Sequence, residues 1–208
     1  VQSWIYSVDN SNSQTPILMH HGMNVTVGNT TWVSGSTYFT VGSINDAAGG
    51  VGSDFALCSW DNQTWFSVVH SDQIYPTVSS GSLESFSLTC KNIDRLGNSG
   101  LSVDLNVNMD TISPEQSLSP SSGNYIIQNS SITIDTSDNL NVEDRLYLVW
   151  SDGTSSRFAN VTINSTPRAI ILNQVWTGLA DGEVQATLYS RDQVGNENQT
   201  STRTWILN

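Results

Sequence analysis

Short runs in which apolar and polar residues alternate occupy most of the chain, and clusters of Gly, Asn, Asp, Ser and Pro separate them. Because successive side chains of a β-strand point to opposite faces, this pattern predicts strands that each bury one face. No window shows an apolar repeat of helical period. The sequence therefore predicts an all-β chain.

The predicted strands are short and follow one another closely. In the first half they are Ser3–Val8, Ile17–Met19, Met23–Val27, Tyr38–Ser43, Phe55–Trp60, Trp65–His70, Ser85–Lys91 and Leu101–Met109. In the second half they are Gln116–Leu118, Tyr125–Ile127, Ser131–Asp135, Arg145–Trp150, Ala159–Ile163, Arg168–Leu172, Glu183–Ser190 and Thr202–Leu207. This spacing, with turn-forming residues between the runs, is typical of β-sandwiches.

One turn occurs twice and divides the chain into two similar halves. Asp94–Asn98 reads Asp-Arg-Leu-Gly-Asn, and Asp192–Asn196 reads Asp-Gln-Val-Gly-Asn. In such a turn the Asp carboxylate folds onto the backbone, Gly adopts a positive φ and Asn tolerates one. Alternating runs flank both copies, which indicates two copies of one β-domain. The predicted domains are residues 1–110, with an N-terminal extension strand at about 1–16, and residues 111–208.

The turn and a linker between the two halves are similar to those of a known class of domain. Asp192–Asn196, the strands around it, and the Asp-Thr-x-x-Pro linker at Asp110–Pro114 resemble the Ig-like repeats of large prokaryotic surface proteins and adhesins. Leu96 and Val194 stand where those repeats often have Ala. The resemblance implies two tandem Ig-like antiparallel β-sandwich domains. Such repeats serve as spacers, adhesins and sugar-binding modules, so the resemblance says less about function.

Composition narrows the classes of partner. Seven Lys and Arg residues against nineteen Asp and Glu residues give a net charge of −12. An acidic chain of this kind lacks the basic face that nucleic acids and anionic membranes require. No apolar stretch is long enough to span a membrane, so direct membrane insertion is not expected. The chain begins at Val1 without Met, which indicates a processed or excised piece of an exported precursor.

Asn-x-Ser/Thr sequons add to the expectation of an extracellular, cell-surface location. Most of them fall at predicted turns or strand edges, where an attached glycan projects into solvent. In a chain rich in Asn, Ser and Thr, several also arise by chance. The seven candidate glycosylation sites are Asn24, Asn29, Asn62, Asn129, Asn160, Asn164 and Asn198.

The two cysteines lie in the first half. In an Ig-like sandwich Cys58 and Cys90 correspond to neighbouring strands C and F, so the resemblance predicts a disulfide between them. Two buried free thiols are the alternative. In the second half Val149 and Leu188 are expected at the equivalent positions. Trp150, or Trp60 in the first half, is expected to fill the core as strand C tryptophans do.

Enzyme activity is not predicted. The chain contains no nucleophile elbow, zinc-protease motif, Walker loop or dinucleotide-binding glycine motif. His20 and His21 are neighbours on an extended segment and face opposite ways, and with His70 they are interpreted as exposed loop residues. Glu143 and Asp144 are adjacent on one short loop, whereas catalytic carboxylates flank a substrate.

No cofactor is predicted, and calcium is the one metal considered. Asp138, Asn141, Glu143 and Asp144 crowd one loop, and calcium favours oxygen ligands, usually about six to eight of them. The loop lacks the spacing of an EF-hand, so a solvated turn without an ion is the alternative. A weaker candidate is the domain junction with Asp94 and Asp110.

Aromatic residues beside loops raise the alternative of a carbohydrate-binding module. Exposed aromatic faces stack on sugar rings, although most aromatic residues of β-sandwiches serve in packing. The candidates are Trp32, Trp60, Trp65, Tyr75, Tyr125 and Trp176.

The N-terminal residues alternate like the last strand of a preceding repeat. Trp4, Ile5, Tyr6 and Val8 are the apolar members of this assembly strand. An unpaired apolar strand invites aggregation unless something covers it. It is interpreted as the severed end of a longer array, as a strand donated to the next subunit of a filament, or as a strand folded back onto the first domain.

Together these features predict an extracellular structural or adhesive surface protein. Its expected partners are copies of itself or flanking repeats, with glycans as a further possibility.

Overall fold

The computed structural model describes residues 12–46, 52–140, 145–160, 167–172 and 176–208. Seventeen β-strands supply almost all of the regular structure in this part of the chain, which confirms the all-β prediction. The chain forms two compact units, Val1–Met109 and Asp110–Asn208, called unit 1 and unit 2 below. The assembly strand with Trp4, Ile5, Tyr6 and Val8 lies outside the described residues.

Unit 1 contains a small and a large sheet. Its strands are β1 (Ile17–His21), β2 (Asn24–Val27), β3 (Thr30–Ser34), β4 (Tyr38–Ser43), β5 (Ser53–Ser59), β6 (Phe66–Val68), β7 (Leu83–Asp94) and β8 (Val103–Asp110). β1 and β4 pair antiparallel in the small sheet. The large sheet has the order β2-β3-β8-β7-β5-β6.

Unit 2 repeats the two-sheet design. Its strands are β9 (Glu115–Ser119), β10 (Tyr125–Ile126), β11 (Ser131–Ser137), β12 (Arg145–Ser151), β13 (Ser156–Asn160), β14 (Arg168–Ile171), β15 (Gly182–Arg191), β16 (Glu197–Asn198) and β17 (Thr202–Leu207). The small sheet has the order β14-β11-β9, and the large sheet has the order β10-β17-β15-β12-β13. β16 pairs with β15 beside this path.

In both units, a segment between the first two strands of the small sheet crosses to the large sheet. In unit 2 this segment is β10, which pairs parallel with β17. In unit 1 it is the β2–β3 hairpin, which lies beside β8. The first part of unit 1 is therefore longer than that of unit 2, because a hairpin stands where unit 2 has the two-residue strand β10. The sequence did not predict β3, although its two-residue loop contains Gly28 at φ 64° and Asn29.

Each unit has its own apolar core. In unit 1 the buried core residues are Val33, Phe39, Val41, Ala56, Cys58, Val68, Ile74, Leu88, Cys90, Val107 and Met109. In unit 2 they are Leu118, Ile126, Ile132, Ile134, Trp150, Ile170, Leu172, Trp176, Leu179, Val184, Ala186, Leu188, Trp205 and Leu207. Trp150 is fully buried, as predicted, and its ring lies 5.8 Å from that of Trp205. Trp60 packs edge-on against Phe39 of the unit 1 core.

A disulfide joins the large sheet of unit 1 across two neighbouring strands. Cys58 of β5 lies directly opposite Cys90 of β7, and their sulfurs are bonded at 2.06 Å. This agrees with the predicted pairing. In unit 2 the pair opposite each other is Leu148 and Leu188, so the expected position of Val149 was wrong by one residue. Val149 lies opposite Thr187, and adjacent residues of a strand face opposite sides of the sheet.

Candidate functional site

The repeated turn of unit 2 is closed by its own aspartate. Asp192 Oδ1 accepts hydrogen bonds from the backbone N–H groups of Val194, Gly195 and Asn196, at 2.9, 2.6 and 2.8 Å. Asp192 Oδ2 accepts a further bond from the Asn196 side-chain amide at 2.8 Å. The carboxylate therefore orders the whole turn, and its side chain is fully buried.

The turn of unit 1 repeats this arrangement. Asp94 Oδ1 accepts hydrogen bonds from the N–H groups of Leu96 and Asn98 at 2.8 and 2.7 Å, and Oδ2 accepts one from the Asn98 amide at 2.7 Å. Gly97 and Gly195 have φ values of 89° and 100°, which residues with a side chain rarely adopt. The sequence interpretation of both turns is confirmed.

Three carboxylates of unit 2 meet beneath the Asp192 turn. Asp110, Asp138 and Asp192 each place one carboxylate oxygen within 4.8 Å of the other two. Asp110 and Asp192 are fully buried and Asp138 is half-buried. In the described part of the chain, no other group of three His, Cys, Asp or Glu side chains is close enough to share an ion. These three residues are called the acidic cluster below.

Backbone and amide groups fix the members of the acidic cluster. Asp110 Oδ1 accepts a hydrogen bond from the Ile112 N–H at 2.8 Å, and Oδ2 accepts one from the Asn139 side chain at 2.7 Å. Asp138 Oδ2 accepts one from the Leu140 N–H at 2.9 Å. Asp138 Oδ1 is buried and has no hydrogen-bond partner. A buried oxygen without a donor is costly, so this atom marks the point where a ligand would be stabilising.

The electrostatics of the acidic cluster disfavour a full set of negative charges. Burial, followed by repulsion from Asp192 and Asp110, raises the pKa of Asp138 to about 6. Burial also raises the pKa of Asp192, against the opposing effect of the hydrogen bonds from Asn196 and Gly195. Oxygen ligands that repel one another at neutral pH suit a hard cation such as calcium.

The acidic cluster shares one residue with the loop that the sequence offered as a calcium candidate. Asp138 belongs to it, whereas Asn141, Glu143 and Asp144 lie outside the described residues. Asp110, named with Asp94 as a weaker candidate, groups instead with Asp138 and Asp192, and Asp94 is not a member. Sequence reasoning did not name Asp192 as a ligand, although its place in the repeated turn was the available signal.

The histidines are placed differently from the exposed loop that the sequence suggested. His20 and His21 lie in β1 and are half-buried. The ring of His21 stacks on Tyr38 at 4.8 Å, and its Nε2 lies 2.9 Å from Thr40 Oγ1. The prediction was wrong because the strand continues to His21, where the register pairs it with Tyr38. His70 is exposed, as expected.

No model of a protein family matches the chain, and no curated protein is significantly similar to it. Among solved structures, the chain aligns with the FN1–FN3 domains of chicken CNTN1 at 8% identity and a TM-score of 0.47, over 95% of this chain and 69% of that one. A tetra-tandem repeat from the extending region of a large adhesion protein aligns at 14% identity and a TM-score of 0.39, over 97% and 50%.

A third similar structure is that of a 1.5-MDa bacterial ice-binding adhesin, at 11% identity and a TM-score of 0.36, over 94% of this chain and 65% of that one. These neighbours are tandem domains or adhesion proteins. The assignment of two Ig-like sandwiches depends on the strand order and the two cores described above.

The aromatic candidates for sugar binding divide into packed and exposed residues. Trp176 belongs to the unit 2 core, and Trp60 packs against the unit 1 core. Trp32 is half-buried, and the ring of Trp65 lies 4.6 Å beneath the Lys91 ammonium group. Tyr75 and Tyr125 are exposed, and Tyr125 is the more open at 77%. Two of the six candidates are therefore engaged in packing, and the two tyrosines are the exposed members of the set.

The sequons also differ in accessibility. Asn24, Asn29, Asn62 and Asn129 are exposed, and Asn160 ends β13. The Asn198 amide donates a hydrogen bond to the Pro114 carbonyl at 2.7 Å, while its Oδ1 accepts two from Thr200. We therefore expect Asn198 to be modified least. Asn164 lies outside the described residues.

No helix among the described residues has the length and apolar character needed to cross a membrane.

Replacing Asp138 with asparagine is expected to stabilise unit 2 at pH 7.5 in the presence of a chelator, by about 1 kcal/mol after allowance for solvent screening. The folded-state pKa of Asp138, about 6, lies above its ordinary value of 3.8. Its contribution to stability is therefore full below about pH 4 and is lost as the pH rises through about 6. Urea unfolding at pH 4.5 and 7.5 would measure the difference.

The control for this substitution is Asp135→Asn, which removes one negative charge from an exposed position of β11. If both substitutions changed the free energy of unfolding equally at both pH values, the charge of Asp138 would not be destabilised by burial and by the other two carboxylates.

Proposed function

We propose that this chain is part of an extracellular structural or adhesive cell-surface protein, as a segment or subunit of a repetitive assembly. The main support for the proposal is a contact that both units share: a side chain in or next to the repeated turn donates a hydrogen bond to the segment with which the unit begins. In unit 1, Asn92 of β7 donates a hydrogen bond to the Gln14 carbonyl at 2.7 Å. In unit 2, Asn196 donates one to the Asp110 carbonyl at 2.9 Å. Units anchored in this way suit a chain of similar modules.

Charge and surface chemistry support the same role. The net charge of −12 keeps the chain soluble and disfavours nucleic-acid and anionic-membrane partners. The exposed sequons and the Cys58–Cys90 disulfide both suit an oxidising, extracellular environment. The partners that we propose are copies of the chain or flanking repeats.

Two forms of assembly are compatible with this role. In a covalent array, residues 1–8 would be the last strand of a preceding repeat. In a filament, Trp4, Ile5, Tyr6 and Val8 would insert into the sheet of another subunit. Unit 2 supports the array, because β17 supplies the final strand of its large sheet and β10 covers the outer edge of β17. We therefore propose the covalent array first.

The molar mass of the chain tests the form of assembly. In a covalent array the units are joined by the chain itself, so the full chain and a variant that lacks residues 1–10 are both expected to be monomers. Light scattering after size exclusion would measure this at concentrations up to about 100 µM, since subunits that associate only at higher concentrations would not hold a filament together. Polymers that disappear on truncation would instead support strand donation. Association that persists after truncation would contradict both forms as described.

A sugar-binding module is the alternative function. A glycan array probed with the full chain is expected to show no saturable binding to any sugar class. Saturable binding that is lost in Tyr125→Ala or Trp65→Ala, and kept in a variant of an exposed serine, would overturn the structural role. Tyr125 is the better choice of the two because Lys91 already occupies one face of Trp65.

Cation binding is a second candidate activity, favoured by the buried Asp138 Oδ1 that lacks a partner. Asp110, Asp138 and Asp192 would hold the ion, and calcium would supply charge neutralisation there. We expect millimolar calcium to raise the free energy of unfolding of the native chain, as a ligand of the folded state does. The same addition should have no effect on Asp138→Asn, and equal stabilisation of both proteins would place the ion elsewhere.

A further inference from the structure

Methionine and histidine are concentrated in one short stretch of unit 1. The chain has three residues of each type, and Met19, His20, His21 and Met23 account for four of these six. Met19 and Met23 are 41% and 39% exposed, whereas Met109 is fully buried in the core. Because methionine usually packs in the interior, two surface methionines beside two histidines indicate a role other than packing.

The pairing of β1 with β4 places Met19 and His21 on one face of the small sheet. Met19 lies opposite Thr40, whereas His20 lies opposite Phe39, a fully buried core residue. Alternate residues of a strand share a face, so His21 points away from the core together with Met19, and His20 points toward the core. One of the two neighbouring histidines is therefore available to a ligand that also contacts Met19.

The imidazole of His21 is held in place by two neighbours. Its ring stacks on Tyr38 with 12° between the planes, and its Nε2 lies 2.9 Å from Thr40 Oγ1. Since Thr40 is the cross-strand partner of Met19, this contact brings the ring toward the position of Met19. Polar partners of this kind orient a histidine for metal binding.

The thioether of Met19 lies along the same face of the sheet. Gly42 is the next outward position of β4 after Thr40, and a Cβ at Gly42 would stand 2.6 Å from Met19 Cε and 3.5 Å from its Sδ. The glycine therefore leaves the space that the thioether occupies. Methionine has three rotatable bonds, and rotation from Gly42 toward Thr40 would bring the sulfur to the imidazole of His21.

We propose that Met19, His21 and Met23 bind a copper(I) ion. Thioether sulfur selects Cu(I) and imidazole suits copper, whereas carboxylates, which this set lacks, suit calcium and magnesium. Three uncharged ligands leave the ion its positive charge, which a chain with a net charge of −12 attracts. Met23 follows His21 by two positions, after the bend at Gly22, and supplies the second sulfur.

The other groups that could take up the ion differ in chemistry from this set. Both cysteines of the chain are joined in the disulfide, so their thiolates do not compete for copper. The acidic cluster of unit 2 offers carboxylate oxygens, which suit a hard cation. The inference goes beyond the proposed function and does not depend on it, because binding of one ion requires neither an array nor adhesion.

Titration of the full chain with Cu(I) tests the inference. The ion would be kept reduced by ascorbate under anaerobic conditions, which avoids thiols that would open the disulfide, and a coloured Cu(I) chelator would compete for it. We expect one equivalent to bind. Met19→Leu and Met23→Leu keep the volume of the side chain and remove the sulfur, and His21→Asn removes the imidazole. Each should weaken binding by about tenfold or more.

Two matched controls separate this site from a general effect of methionine or histidine. Met109→Leu removes a buried sulfur and His20→Asn removes the imidazole on the other face, so both should leave the affinity for Cu(I) unchanged. The chain also has three methionine methyl groups, which give three signals in NMR spectra of methyl-labelled protein. One equivalent of Cu(I) should shift the signals of Met19 and Met23 and leave that of Met109 in place.

Several results would overturn the inference. Methionine signals that do not move, or an affinity unchanged in a Met19→Leu, Met23→Leu variant, would exclude the thioether ligands. Zinc bound as tightly as Cu(I), and lost in His21→Asn alone, would show a site that does not use sulfur. Binding that is lost in Asp138→Asn instead would place the ion in the acidic cluster. None of these outcomes bears on the structural role of the two units.

Discussion

Loss of the Cys58–Cys90 disulfide is expected to lower the free energy of unfolding of unit 1 by about 3–4 kcal/mol. The bond closes a loop with a sequence separation of 32 residues, and both cysteines are fully buried in the core. Without the bond, the unfolded chain gains the conformational freedom of that loop. A Cys58→Ser, Cys90→Ser variant and the reduced wild type should both show the loss.

Unit 2 provides the internal control for this result because neither cysteine belongs to it. Hydrogen exchange should increase in peptides from β5 and β7 and stay unchanged in peptides from β12 and β15. Thiol labelling of the denatured, unreduced chain should find no free thiol. Two reactive thiols in that experiment would exclude the bond and weaken the case for export.

Replacing Asp192 with alanine is expected to lower the free energy of unfolding of unit 2 by roughly 2–4 kcal/mol. The carboxylate accepts three backbone hydrogen bonds and one from Asn196, and Val194 is buried with it. Alanine leaves these donors without an acceptor. Relief of the repulsion from Asp110 offsets part of the loss. Urea unfolding of the full chain would measure the change.

Asp152→Ala is the matched control for the turn. Asp152 also accepts hydrogen bonds from two backbone N–H groups, those of Thr154 and Ser155, but its turn is exposed and water can replace the carboxylate. We expect a much smaller loss of stability than for Asp192→Ala. Equal destabilisation by Asp152→Ala and Asp192→Ala would show that burial of the repeated turn does not increase the contribution of its aspartate to the free energy of unfolding.

The sequence predicted the fold well because local patterns decide it. Alternation located most strands. The repeated turn indicated two similar sandwiches because Asp, Gly and Asn have conformational roles that need no distant partner. A strand was predicted at Met23–Val27, but β3 was not predicted because Thr30–Ser34 follows it after only two residues, where a loop was expected. β3 pairs with β8, which is far away in the sequence, and a local pattern of apolar and polar residues does not predict such a pairing.

The acidic cluster could be predicted only in part. Asp110, Asp138 and Asp192 come from a linker, a strand end and a turn, and only the folded sandwich brings them together. Composition pointed to the loop at Asp138 because acidic residues are dense there, and density along the chain is a weak guide to proximity in space. The error at Val149 has a similar origin, since a shift of one residue in register exchanges the two faces of a strand.

The parallel pairing of β10 with β17 determines how unit 2 would respond to tension along an array. Thr204 and Asn124 accept hydrogen bonds from the N–H groups of Gly123 and Ile206, at 2.8 and 3.1 Å, and the Ile126 carbonyl accepts one from Asn208 at 3.1 Å. Force on the ends of the unit reaches β10 through β9, which pairs with β11. Once β9 has detached, a further pull moves β10 and β17 past each other and loads these bonds at the same time. An antiparallel pair pulled from its open end would break them one after another. Mechanical resistance would then come from a contact of two residues per strand, far smaller than the core that it protects.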